Sequence, residues 1–289
     1  MRGILVYDRK AAEYNCEYIN LYRKRCSKME IDLQLVLLDE LDMGCNGGSN
    51  HILWRGNPMD KLDFAIVRSI TPYLSMQLEE AGIAVFNSAK VSRICNHKAW
   101  TLQYVTKKNK EIPCVPTTFH YGNQAEKVLS RLSNDYVIKA VAGHGGSQVF
   151  SLLESTEDEI LRGLNGCDFV VQPFIKGPGK DVRVYVIGKE IMGVVCRQAK
   201  EGFRANFSLG GQVEPIELTK EQKKLVEQVI SLFDFGMVGI DFIVDEEEKF
   251  VLNEIEDVVG ARMFYQCYNI DLVQMYLDYI VKYVQANCR

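Results

Sequence analysis

Three carboxylates near the end of the chain stand at spacings that could bring them together. Asp241 lies in the run MVGIDFIV, and Glu254 and Glu256 lie in FVLNEIE. Successive side chains of a strand alternate between faces, so Glu254 and Glu256 share one face. Asp241, on a neighbouring strand of a hairpin, can share it too. Carboxylates converging from apolar strands need a countercharge. A set of hard oxygen donors suits Mg²⁺, which takes a few carboxylates and completes its shell with phosphate oxygens and water. The same pattern also fits the exposed acidic face of an edge hairpin, and the residues alone leave both readings open.

A second candidate is Ala142-Gly-His-Gly-Gly-Ser147, which follows a strand-like run carrying Lys139. Glycines let backbone N–H groups approach phosphate oxygens, and a nearby lysine supplies charge. The spacing matches neither G-x-x-x-x-G-K-[ST] nor G-x-G-x-x-G. A tight hairpin turn is the alternative, and His144 reads more simply as a turn residue than as an acid or base. Lys139, Lys176, Arg183, Arg197 and Arg204 lie in or beside predicted strands. Arginine suits bidentate contact with phosphate or carboxylate. One such residue is an ordinary surface charge. Five interleaved with a glycine segment and an acidic triad are harder to dismiss.

These residues need elements to hold them. In the first part of the chain, apolar runs at Gly3–Tyr7, Leu33–Leu38, Phe64–Val67 and Ile83–Phe86 alternate with helical stretches at Ala11–Met29 and Thr71–Ala81. Strand, helix, strand at this spacing predicts a small parallel sheet. The polar, Gly-rich stretch Gly44–Asn57 reads as a long surface loop. Val91–Lys108 reads as one helix. Tyr136–Val141, Phe150–Leu153 and Phe169–Ile175 read as strands, with Thr156 and Glu159 opening a short helix as a capping box. A turn, Lys176–Lys180, leads into a predicted hairpin of Val182–Ile187 and Ile191–Arg197. Thr219 and Gln222 cap an amphipathic helix carrying Leu225, Val226, Val229, Ile230 and Phe233 on one face. Met237–Val244 and Lys249–Ile255 pair around an acidic turn, and a helix, Asp271–Val284, closes the pattern. The fold class is therefore α/β followed by α+β.

Composition narrows the function. The chain has 289 residues, enough for two or three domains at about 100–200 residues each. It is 47% hydrophobic and 25% charged, as globular proteins are. A net charge of −4 gives no basic bias toward nucleic acid or an anionic membrane. No apolar run approaches the ~20 residues needed to span a bilayer. The start, MRGILVYDRK, has no signal-peptide core, so a cytoplasmic protein is expected. Nine scattered cysteines and four histidines show no metal-ligand spacing, and the odd cysteine count argues against a disulfide framework.

The order of these features resembles a known family. Asn96-His-Lys98, strand-borne Lys139, the Gly-rich segment, VVQPFI, Asp181-Val-Arg183, RQAKEGFRANFSLGG, GIDF and NEIE follow one another. This is similar to the ATP-grasp superfamily, specifically the RimK-like carboxylate–amine ligases, from about Phe86 to Tyr283. The resemblance implies an ATP-grasp fold preceded by a small parallel-sheet (pre-ATP-grasp) domain. The implied limits are 1–90, 91–178 for the small lobe with its glycine flap, and 179–289 for the large lobe with the carboxylates. It implies that Lys98 and Lys139 contact ATP phosphates and that Gly143–Ser147, with Gly145, Gly146 and Ser147, closes over them. Gln172, Pro173, Phe174 and Ile175 would form the adenine hinge, and Asp181 would lie by the ribose. Arg183, Arg197 and Arg204 would act at the phosphates or acyl phosphate, with Asn206 beside them. Asp241, Glu254 and Glu256 would hold two Mg²⁺ ions, with Mn²⁺ as an alternative.

The implied reaction forms an amide or peptide bond through an acyl phosphate. The substrates would be an amino-acid, peptide or other small-molecule carboxylate and an amine, with no nucleic acid or membrane partner; homo-oligomerisation is left open. Two alternatives remain on the sequence: a kinase acting on a small-molecule hydroxyl, and a catalytically silent ATP-binding module. The chain departs from its relatives in three places. Glu256 stands where many carry Asn. Pro173 stands in the hinge where an acidic residue is usual. Glu256-Asp-Val-Val-Gly-Ala-Arg262 replaces the N-x-S-P-G segment that faces the acceptor. Arg68 ends a strand at the carboxyl edge of the first sheet, where open parallel sheets bind ligands. With Arg262 it is expected to bind an anionic substrate; the alternative is that both are ordinary surface charges.

Overall fold

The computed structural model describes residues 1–146, 148–198 and 212–287. Ser147, Arg204 and Asn206, all expected near ATP, lie outside the described residues.

The first sheet is parallel, with strand order Asp32–Leu37, Arg2–Tyr7, Phe64–Val67, Ala84–Phe86. Its central strands are apolar at nearly every position because both faces are covered. The stretch read as one helix from Ala11 is two, Arg9–Tyr14 and Cys16–Lys28, parted at Asn15. Asp8 sets the start earlier than expected: its side chain accepts from Ala11 N at 2.9 Å. Helix Pro72–Glu80 begins with proline in its first turn.

The surface loop expected at Gly44–Asn57 is instead a hairpin. Leu41–Asn46 pairs antiparallel with Ser49–Trp54, and Asn57–Pro58 adds a short third strand. Its glycines make the turn: Gly47 and Gly48 sit at φ 60° and 87°, as a two-residue hairpin turn requires. Met43, Ile52 and Trp54 pack on the apolar cluster beneath the parallel sheet.

A four-stranded antiparallel sheet follows, in the order Val149–Ser151, Tyr136–Ala140, Phe169–Pro173, Thr118–His120. Helices Ala125–Leu129 and Glu157–Leu164 share a core with it. The Thr156–Glu159 capping box opens the second of these.

The largest sheet is antiparallel, in the order Gln212–Pro215, Glu190–Gln198, Lys180–Ile187, Met237–Val244, Phe250–Glu256. One face packs on helices Ala89–Cys95, Lys98–Lys108 and Lys220–Ser231. The other face contributes Tyr185, Ile187, Val195 and Met237 to a core shared with the first sheet and with helix Leu272–Asn287. Residues of 91–108, inside the interval expected for the small lobe, thus pack on the large sheet. The helix expected over Val91–Lys108 breaks at Asn96-His97, where His97 Nδ1 accepts from Trp100 N at 3.3 Å. Lys98 therefore opens a helix rather than lying within one.

Candidate active site

Register places the acidic triad. Asp241 pairs with Glu254 and Gly239 with Glu256 across adjacent strands. The pairing shifts between Asp241 and Phe242, so Asn253 is the extra residue of a bulge. Bulges re-aim side chains beside sites. Asp241, Glu254 and Glu256 each offer a carboxylate oxygen, all within 4.8 Å of one another. This all-oxygen set fits a hard divalent cation. Glu254 and Glu256 line a cleft between the small and large sheets, while Asp241 lies beneath them, 1% exposed.

Arginines on the neighbouring strands supply the countercharge. Arg183 is the cross-strand partner of Asp241, and Arg197 of Asp181. Arg183 donates Nε to Asp241 Oδ1 at 2.7 Å and Nη2 to Oδ2 at 2.6 Å, and its Nη1 lies 2.8 Å from Glu256 Oε2. Arg197 Nη2 donates to Asp241 Oδ2 at 3.0 Å, and its Nε binds Asp181. Gly239 keeps this channel open, because a Cβ there would stand 3.3 Å from Arg183 Cδ and 2.7 Å from Val259 Cγ2. Burial disfavours the Asp241 charge, but Arg183 and Arg197 outweigh it and hold the carboxyl at about 2. Burial dominates at Asp181, which rises to about 6 despite Arg197. Burial also raises Glu256, with Arg183 opposing. At Glu254 burial is outweighed by Lys98, and the carboxyl is held below the usual range.

Two lysines complete the polar end. Lys98 Nζ donates to Gly143 O at 2.5 Å and lies 3.2 Å from Glu254 Oε2. Lys139 Nζ donates to Asn253 Oδ1 at 2.8 Å. Burial pushes the Lys139 ammonium down to about 8. Gly145 and Gly146, at φ 63° and 78°, line the same cleft.

The opposite end is apolar. Val115, Val137, Val149 and Ile243 line the same cleft as the Gln172–Ile175 segment, with Val137 paired to Gln172. Pro173 has no N–H, and Phe174 N already donates to Asp135 O at 2.7 Å. Neither position therefore offers a free backbone N–H. The cleft thus has the polarity of a nucleotide, with an apolar slot for a ring and a charged end for phosphates.

A family model for the RimK-like ATP-grasp domain matches residues 95–280. The chain belongs to the RimK-like ATP-grasp family. N-acetylaspartylglutamate synthase A of Homo sapiens is 27% identical over 281 residues, covering 91% of this chain and 71% of that protein. The glutamate–LysW ligase ArgX of Sulfurisphaera tokodaii is 27% identical over 234 residues, covering 77% and 83%. Among solved structures, D-alanyl-alanine synthetase A from Vibrio cholerae superposes with a TM-score of 0.71 at 15% identity, covering 99% of this chain and 98% of that one. The ATP-grasp ligase PsnB, complexed with minimal precursor, Mg and ADP, gives 0.66 at 16% identity, covering 98% of each. These structural likenesses show the ATP-grasp fold.

Within this RimK-like frame, Lys98, Lys139, Gly145, Gly146, Gln172–Ile175, Asp181, Glu254 and Glu256 all line one cleft. Lys176 is exposed away from the lining, and Lys180 takes a place in it. Arg68 and Arg262 are not in the lining. Arg68 is buried, 8% exposed, and its Nη2 donates to Val259 O at 2.7 Å. Arg262 lies over the Tyr14 ring at 4.4 Å and binds the Tyr14 hydroxyl. Sequence reasoning missed Asn253, although it stands in the quoted NEIE; only the bulge aims it at Lys139. It also missed Asp257, whose partners Asn87 and Asn96 are distant in sequence.

Proposed function

We propose that this chain is an ATP-dependent carboxylate–amine ligase that makes an amide through an acyl phosphate. The observation that carries the reading is one cleft, in a RimK-like ATP-grasp chain, with a ring-sized apolar end and a polar end holding Lys98, Lys139 and three carboxylates. ATP would place its base against Gln172–Ile175 and its phosphates toward Lys98 and Lys139. Two Mg²⁺ ions on Asp241, Glu254 and Glu256 would neutralise phosphate charge and hold the transferred group. Arg183 and Arg197 fix Asp241 from below, so the carboxylate face is set before ligand arrives.

The substrate carboxylate oxygen attacks the γ-phosphorus, and the bond to the ADP oxygen breaks. The amine then attacks the acyl carbon, phosphate leaves with its bridging oxygen, and the amine loses a proton. No protein nucleophile is needed; the residues position groups, balance charge and exclude water. Arg262, outside the cleft lining, has no carboxylate partner among the described residues and is open to a substrate anion, an amino-acid or peptide carboxylate. Its partner in that expectation, Arg68, would act from beneath through Val259. A cytoplasmic setting fits the free thiols Cys26, Cys95 and Cys196. The test is a screen for ADP release over amino acids and dicarboxylates, with mass spectrometry of the products. An amide with one ADP per bond is expected; a phosphorylated alcohol instead would overturn the ligase reading.

A further inference from the structure

Asp257 follows Glu256 directly, yet it is 3% exposed and belongs to the interior rather than to the cleft lining. Its Oδ1 accepts from Asn87 Nδ2 at 2.6 Å, and its Oδ2 accepts from Asn96 Nδ2 at 3.0 Å. It has no ion-pair partner among the described residues. The Ser92 hydroxyl also bonds to it and the Arg68 charge acts on it from nearby, yet a buried carboxylate with no ion pair is a costly way to fill space.

The two asparagines come from segments that matter to the site. Asn96 caps helix Ala89–Cys95, stands two residues before Lys98 and also donates to Ser92 O at 2.8 Å. Asn87 leaves the first sheet after Ala84–Phe86 and donates to Met237 O at 2.8 Å, at the start of the strand carrying Asp241. One buried carboxylate therefore ties together the segments of Lys98, of Asp241 and of Glu254 and Glu256.

The last of these segments needs such a tie. Phe250–Glu256 is the edge strand of its sheet; on its outer side Leu252 bonds to Pro113 O and Val115 N, but beyond a bulge at Asn253 the strand runs on to its end at Glu256 with no outer bridge among the described residues. The end of an edge strand is where pairing is weakest, and a metal–phosphate site tolerates displacements of only about 0.5 Å. Just downstream, Val259 O is held by Arg68, and Gly260 O accepts from the Tyr185 hydroxyl at 3.1 Å.

We propose that Asp257 is a positioning residue: through Asn96 and Asn87 it fixes the distance between the Lys98 amine and the Glu254 and Glu256 oxygens. The inference rests on the ATP and Mg²⁺ reading above. Residues that hold metal ligands in place typically govern affinity by about 10–100-fold.

Asp257→Asn keeps the shape but turns an amide N–H₂ toward one of the asparagine donors. Asn96→Ala removes one of the two bonds at a helix end and serves as a milder second variant. Mn²⁺ binding to the full chain with ADP, read by electron paramagnetic resonance, is measured beside amide exchange of residues 250–256 without ligand. Asp257→Asn is expected to weaken Mn²⁺ binding at least tenfold and to speed exchange at least threefold. The KM for the carboxylate should stay within twofold, with Asn96→Ala moving the same way by less. A merely structural role would lower the melting temperature and leave Mn²⁺ affinity of the folded protein as in wild type; that result overturns the proposal. If Asp257→Asn does not fold, Asn96→Ala with wild-type Mn²⁺ affinity and exchange overturns it equally. A wild-type chain that binds no Mn²⁺ with ADP overturns the underlying ATP and metal reading, and the positioning role with it. Wild-type Mn²⁺ affinity in the variants overturns the positioning role alone.

Discussion

Arg183 and Asp241 face each other on paired strands and meet in two parallel bonds, Nε to Oδ1 at 2.7 Å and Nη2 to Oδ2 at 2.6 Å. With Arg197 on the same carboxylate, Asp241 would share its oxygens between the arginines and a metal, while Glu254 and Glu256 face the cleft. The three acidic residues should therefore respond differently to neutral replacement.

Glu254→Gln should lower turnover at least a hundredfold and shift the melting temperature by only a few degrees. Asp241→Asn should instead unfold the protein more easily, by about 3–5 kcal/mol, because two buried guanidinium groups lose the charge they share. Urea titration and initial rates on both variants check this. Near-normal turnover in Glu254→Gln would remove it from the metal site.

Lys139 sets function against stability. Burial lowers its folded pKa from 10.5 to about 8. A depressed lysine favours folding above its unfolded range near 10.5, and that contribution is lost as pH falls through about 8. At pH 7 the buried charge is a full cost, so Lys139→Met should be the more stable ligand-free protein there, by about 1–3 kcal/mol. The difference should close between pH 8 and 10.5. ATP affinity should fall with the lost charge-assisted contact, worth about 1.5–3 kcal/mol. A variant less stable at pH 7 that still binds ATP as wild type does would contradict both halves.

The Gly143–Ser147 segment should slow its amide exchange when ATP and Mg²⁺ are added. Gly145 has φ 63° with open space around its Cβ position. Gly145→Ala would be strained by conformation alone, at about 1–2 kcal/mol. Reduced ATP affinity without loss of fold is expected. Equal exchange with and without nucleotide would count against closure of the segment.

Arg262 is half of an exposed stack with Tyr14, so its removal should cost little stability. Arg262→Ala should raise the KM for the carboxylate substrate severalfold and leave that for ATP within twofold. Arg68→Ala should act first on stability, since its Nη2 holds Val259 O in the interior. Wild-type kinetics in Arg262→Ala for every accepted substrate would place the anion pocket elsewhere.

The sheets and the acidic triad were legible because apolar runs and two-residue spacing survive in any context. What was hidden depended on tertiary geometry. Gly47 and Gly48 looked like loop residues because a hairpin turn and a loop use the same glycines, and only Ile52 and Trp54 packing under the parallel sheet separates them. The break at His97 lay inside a helical pattern, set by a ring nitrogen capping Trp100 N. Arg68 follows strand Phe64–Val67 at the carboxyl edge of the sheet, and its neighbours there, Tyr18 of helix Cys16–Lys28 and Val259 after Glu256, are set by tertiary packing that spacing does not reveal. Asp257 carried no motif, since its partners stand 170 and 161 residues away.

Helix Leu272–Asn287 also bears on how the chain is made. Tyr22, Phe64 and Phe86 share their core with Tyr276, Leu277 and Ile280, and Phe86 meets the rings of Tyr276, Tyr279 and Tyr283 edge-on. The first sheet therefore waits, with part of one apolar face uncovered, until helix Leu272–Asn287, far downstream, has been translated. During that interval the nascent chain presents the kind of surface that chaperones hold.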